Sequence, residues 1–159
     1  MAGRRLHWLI AGLAMAALGS GYVLTWPDAY SASLLRIHLA FGVSAGLLSL
    51  ARVLVWLTAG APPPAFEPGS RLQARLAKGV HVLLRLVPLL LFVSGVGMLA
   101  LSGSFGAVAR GTLTGLAPYQ DLPPRNLHHA AAFLLAGLIG LHGLAAFWHR
   151  LNLPGLKAG

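Results

Sequence analysis

The residues best equipped for chemistry in this chain are histidines set in apolar surroundings. Residues 126–150 read NLHHAAAFLLAGLIGLHGLAAFWHR, with His128 and His142 fourteen positions apart. Fourteen helical residues return to within about 40° of the starting direction and rise about 21 Å. The two imidazoles therefore share one face at two depths. His129 points elsewhere, because thirteen residues from His142 leave it on nearly the opposite face. His38 and Arg52 repeat the fourteen-residue spacing earlier in the chain, and His7 and His81 stand near the starts of two further apolar runs.

Two imidazoles meeting at one depth can hold zinc, copper or a haem iron. Zinc usually takes at least three protein ligands, often with a thiolate or carboxylate. This chain has no cysteine, and its three acids, Asp28, Glu67 and Asp121, fall in or beside loops. A haem needs only two axial ligands and brings a large apolar ring, which suits a lining of Leu, Ala and Gly. Its propionates are anionic and account for arginines at depths where a lone charge is costly. Arg52 is level with His142 by the residue count, and Arg36 lies two residues from His38.

Four elements must position these side chains. The 159 residues are 57% hydrophobic and only 9% charged, whereas soluble domains carry about a quarter charged residues. The composition is that of an integral membrane protein, and mean hydropathy is +0.73. The net charge of +9 does not imply nucleic acid, because the basic residues flank apolar runs instead of forming one stripe. The pattern predicts an all-α membrane protein, one domain over 1–159, with spans at about 5–26, 33–59, 71–101 and 125–150, each long enough to cross a bilayer. The first run also has the outline of a signal peptide. It is read as a span, because no soluble domain follows and His7 and Trp8 sit where a leader would be plain.

Pro27-Asp28 marks a turn. Residues 60–70 (GAPPPAFEPGS) form a stiff connector that cannot be helical. Pro88 is expected to kink the third run, and Ser94, Gly95 and Gly97 allow close approach of a backbone or flat ligand. A short surface helix is expected around 105–110. With four alternating spans, Arg4, Arg5, Arg71, Arg75, Lys78, Arg150 and Lys157 fall on one side. The positive-inside rule places that side, with both termini, in the cytoplasm. The result is an antiparallel four-helix bundle. In it His7 and His142 pair at the inner depth, and His38 and His128 at the outer depth.

The remaining polar residues have two readings each. His81 either contacts an inner propionate or sits at the interface, and Arg85 either snorkels or pairs with a propionate. His129 is interfacial or a neighbour of the outer site, and His149 is solvated at the bilayer edge. Trp8, Trp26, Trp56 and Trp148 are read as belt residues. Arg36, Arg110 and Arg125 either draw an anion to the outer face or contact lipid phosphates.

At these residues the chain resembles the bacterial cytochrome b561 family. The resemblance rests on LHWL opening the first run, IHLAFG the second, GVH the third, and LHH with a second histidine fourteen residues on in the last. It implies two b-type haems, each held by two histidines, with His7, His38, His128 and His142 as the iron ligands. The size is similar to that of small stand-alone members, some of which oxidise superoxide at the outer face and reduce ubiquinone. Arg85 and the position of Pro88 depart from the family pattern.

The expected function is single-electron transfer across a bacterial inner membrane, from a periplasmic donor such as superoxide to the quinone pool. The chain would then be either a superoxide:quinone oxidoreductase or a pure electron carrier. One alternative is a cytochrome b subunit relaying electrons for a separate periplasmic enzyme. Another is a haem-free anchor or a metal transporter, which the lack of acids in every span disfavours. Membrane lipid, quinone and a periplasmic redox partner are the expected partners.

Overall fold

A computed structural model describes residues 2–60, 70–112 and 119–151, and among these all regular structure is helical. The long helices are α1 (Ala2–Val23), α2 (Ala32–Ala59), α3 (Arg71–Leu101) and α5 (Pro123–Leu151), with a short α4 (Phe105–Arg110) between the last two. The four long helices are each apolar and long enough to cross a membrane. At 1.5 Å per residue, α2, α3 and α5 exceed the roughly 30 Å hydrocarbon core and must tilt or protrude. The expected short helix over 105–110 is α4, and the expected stiff connector lies mostly outside the described residues.

Local chemistry sets the helix ends. Ser31 and Ser70 cap α2 and α3, each accepting a hydrogen bond at 3.2 Å from the backbone N–H three residues on. The last helix starts at Pro123, two residues before the expected start, because proline is well suited to a first helical turn. The first helix stops at Val23, short of Trp26, because Pro27 steers the preceding residue away from helix. Pro27–Ala29 is one 3₁₀ turn, where a turn was expected. The third helix runs unbroken through Pro88, which is buried.

The helices form a four-helix bundle. The closest backbone packing is α3 on α5, α1 on α2, and α2 on α3. Val87, Ala131, Leu135 and Leu138 make the buried core, with Leu18, Val80, Leu84, Leu91 and Ile139 against it. Gly46 allows α2 to meet α3 closely: a Cβ there would lie 2.5 Å from the Phe92 ring. Helices α1 and α2 make only sparse close backbone contact with α5. The fold thus leaves a seam of sparse backbone contact between α1 and α2 on one side and α5 on the other.

Each helix bordering that separation carries a stripe at alternating three- and four-residue steps, the spacing of a bundle seam. On α5 it is His128, Ala131, Leu135, Leu138 and His142. On α1 it is His7, Ile10, Ala14, Ala17 and Gly21. On α2 it is His38, Gly42, Ala45, Ser49 and Arg52. Small side chains fill the middle of the α1 and α2 stripes, and a Cβ built on Gly42 would meet nothing within 4 Å. The imidazoles stand at the ends of the stripes.

Candidate functional site

The structure brings four of the predicted histidines together in two layers. His38 of α2 faces His128 of α5 with ring centres 6.2 Å apart and planes crossed at 75°. His7 of α1 faces His142 of α5 at 6.3 Å and 74°. The first pair lies at the end of the bundle carrying α4 and the 3₁₀ turns, called here the hairpin end. The second lies at the end where α1 begins and α5 finishes, the terminal end.

The spacing is chemically specific. An imidazole nitrogen lies about 1.15 Å from its ring centre and about 2.0 Å from a bound transition metal. Two rings on opposite sides of one metal ion thus have centres about 6.3 Å apart. Stacked rings lie closer, and rings bridged by a water have no reason to repeat one distance at two depths. Both pairs also cross the α1–α5 or α2–α5 separation, where the helices leave room for a flat group. Among the described residues no cluster of three or more His, Cys, Asp or Glu is placed to hold a metal ion. The donor set is two imidazoles per layer, which fits an iron whose other four ligands come from a porphyrin.

At the hairpin end the rings are fixed through Nδ1. His38 Nδ1–H donates to the Ala17 carbonyl at 3.0 Å, with Ser20 Oγ at 3.3 Å. His128 Nδ1 lies 2.9 Å from Ser94 Oγ, with the Leu91 backbone beside it. Each serine hydroxyl already donates to carbonyls of its own helix: Ser20 to Ala16 and Ala17, Ser94 to Leu90 and Leu91. Each serine can therefore only accept from the imidazole. Both Nδ1 atoms carry the proton, and both Nε2 lone pairs are free for a metal.

Two Ser-Gly pairs build these matching cradles. Beside Ser20, a Cβ on Gly21 would lie 2.8 Å from His38 Cε1; beside Ser94, a Cβ on Gly95 would lie 3.3 Å from His128 Cε1. Serine holds the ring nitrogen and glycine clears the ring carbon. The sequence reading noted Ser94 and Gly95 only as small residues and gave Ser20 and Gly21 no role. The Ser-Gly dipeptide does repeat near the ends of two spans, but it does not show which helix face meets a ring.

The terminal end is built differently. Arg52 Nη1 lies 3.3 Å from His7 Nδ1. A guanidinium only donates, so His7 accepts at Nδ1 and carries its proton on Nε2. His81 packs against His142 with ring centres 5.2 Å apart, too close for the two to lie on opposite sides of one metal ion. Arg85 lies 4.9 Å over the Trp56 ring, a cation–π contact. Arg52 and Arg85 are near enough for their charges to act on each other and on His81. Trp56 is half-buried beneath Arg85, while Trp8, Trp26 and Trp148 are exposed.

The other predicted residues sit apart from the ring pairs. Arg36 is exposed, reaches toward Gly111 at the end of α4, and lines an open cleft of about 420 Å³ with Ser33, Ile37 and Ala40. His129 is half-buried within reach of the Arg125 charge, and His149 is half-buried near the end of α5. Tyr30 lies beside Tyr119, and burial pushes the Tyr30 hydroxyl pKa up, with Tyr119 adding to the shift.

A family model described as prokaryotic cytochrome b561 matches residues 2–156. No curated protein and no solved structure matches the chain.

Proposed function

Because the chain belongs to the prokaryotic cytochrome b561 family, a family of membrane haem b electron-transfer proteins, we propose that it holds two haems b and carries single electrons between them across a membrane. His38 and His128 would hold one, and His7 and His142 the other. The observation that carries this reading is the ring separation of 6.2 and 6.3 Å in two layers. Haem b bound at each pair supplies reversible one-electron iron chemistry.

The chain's own residues do the rest. Two imidazoles per iron leave no open coordination position, which favours electron transfer over ligand binding. Ser20, Ala17 and Ser94 hold the hairpin-end rings in the tautomer that ligation through Nε2 requires. At the terminal end, ligation of His7 through Nε2 would place its proton on Nδ1, an atom to which Arg52 could then no longer donate. Arg52, with His81 beside His142, is then placed for the propionates of the group held there. The apolar stripes between the layers exclude water. Arg36, with Ser33 in its cleft, is placed for a carboxylate or another anion at the hairpin end.

The basic flanks of the terminal end support a cytoplasmic position for it at the inner membrane. The donor then arrives at the hairpin end, where Arg36 and Arg110 are exposed. Exposed cations raise the local concentration of an anionic donor such as superoxide. A membrane quinone is the acceptor. The test is purification from haem-supplied cells. Two haems per chain by pyridine haemochrome are expected, with one remaining in His128→Ala or in His142→Ala, and superoxide is expected to raise a reduced band that added quinone then lowers. A colourless chain refutes the haem assignment, and a haem-loaded chain indifferent to superoxide refutes the donor.

A further inference from the structure

The two imidazole layers sit in opposite electrostatic surroundings. Gaining an electron adds negative charge to a centre. A fixed cation nearby favours the reduced form, and the effect is strong where water is scarce. A hydrogen-bond acceptor on a ligand's Nδ1–H makes the imidazole a better electron donor to the metal and favours the oxidised form.

At the hairpin end both rings have such acceptors: Ala17 O and Ser20 Oγ for His38, Ser94 Oγ for His128. The cations there are Arg36 and Arg110, both exposed, and half-buried Arg125 beside His129. Asp28 and Asp121 lie at the same end. Charges facing solvent are screened within about 10 Å at ordinary ionic strength. At the terminal end, Nδ1 of His7 meets a cation instead of an acceptor. Arg52 and Arg85 are half-buried within candidate spans, and the three acids of the sequence all lie outside the four long helices. Whether Arg52 stays by the ring or turns to a carboxylate of the bound group, α2 keeps its charge in that layer.

We infer that Arg52 and Arg85 make the His7–His142 centre the more easily reduced of the two, so that an electron entering at His38–His128 runs downhill toward the terminal end. The inference rests on the haem reading and names which of the chain's residues set the direction of flow.

The test is an optical redox titration of the haem-loaded protein in detergent or nanodiscs. Two one-electron waves are expected. In His128→Ala, the surviving wave is the one at higher potential. On the intact two-haem background, Arg52→Gln and Arg85→Gln each move the higher wave to lower potential and leave the lower wave in place. Arg52→Lys, which keeps the charge, retains most of the wild-type position. Ser94→Ala, kept fully loaded in excess haem, removes an acceptor and moves the lower wave upward. Two haems whose higher wave is unmoved by both arginine changes, or whose higher wave survives in His142→Ala, overturn the ordering while the haem reading stands. A chain that binds no haem overturns both.

Discussion

At the residue scale, the hairpin-end site depends on four small side chains around its rings. Removing the Ser94 hydroxyl leaves His128 Nδ1–H without its 2.9 Å acceptor. Loss of such an outer hydrogen bond typically costs about 10–100-fold in metal affinity. Ser94→Ala is therefore expected to shed haem from that layer on dilution while the other layer stays full, as read by haem stoichiometry. Gly21→Ala should act more severely than Gly95→Ala, since its added methyl would lie 2.8 Å from an imidazole carbon against 3.3 Å. Equal haem retention in the two variants would contradict the cradle. With a haem iron held between them, ring planes crossed at 75° and 74° would leave the two iron orbitals that face the ligands nearly equal in energy. Low-temperature EPR of the oxidised protein is expected to show strongly anisotropic low-spin signals with one large g value. Ordinary rhombic signals would mean that the rings turn parallel when the group binds.

At the scale of elements, the apolar runs were plain because a membrane span needs about 20 residues with few charges. All four long helices lie within three residues of their expected bounds, and the end of α1 and the start of α5 trace to proline chemistry at Pro27 and Pro123. The depth of each histidine was legible for the same reason, since a helix turns residue number into height and angle. The Ser-Gly cradles were not legible. They depend on which helix face meets which neighbour, and periodicity on one helix carries nothing about the rotation of another. Arg85 shows the same limit. Its two expected partners were solvent and a propionate, and it lies over Trp56, one helix away. The closest helix contact supplies a check on packing. Gly46→Ala sets a methyl against Phe92, where overpacking costs about 1–3 kcal/mol. The α2–α3 contact should loosen, and the solubilised protein should melt at lower temperature, with little change for Gly42→Ala, which faces open space.

At the scale of the whole molecule, the charge pattern predicts a cytoplasmic terminal end, and the absence of cysteine makes this easy to test. A single cysteine at Ser31, at the start of α2, should react with a membrane-impermeant maleimide added to intact spheroplasts. One at Ser70, at the start of α3, should react only after permeabilisation. The reverse pattern would invert the direction of electron flow. Both pairs use α5, and each takes its second ring from a different helix. Both ring pairs thus rest on one element packed firmly against α3 and only loosely against α1 and α2.

The unequal footing of His7 and the hairpin-end rings also bears on how the molecule is assembled. His38 and His128 already offer bare Nε2 atoms, whereas His7 must first surrender Arg52 and shift its proton. Under scarce cofactor supply, newly made chains should therefore fill from the hairpin end, and half-loaded molecules should carry their single pigment there. Limiting-haem expression followed by resonance Raman comparison with the His128→Ala and His142→Ala variants would reveal that order. Equal filling would mean that the Arg52 contact offers no resistance to maturation.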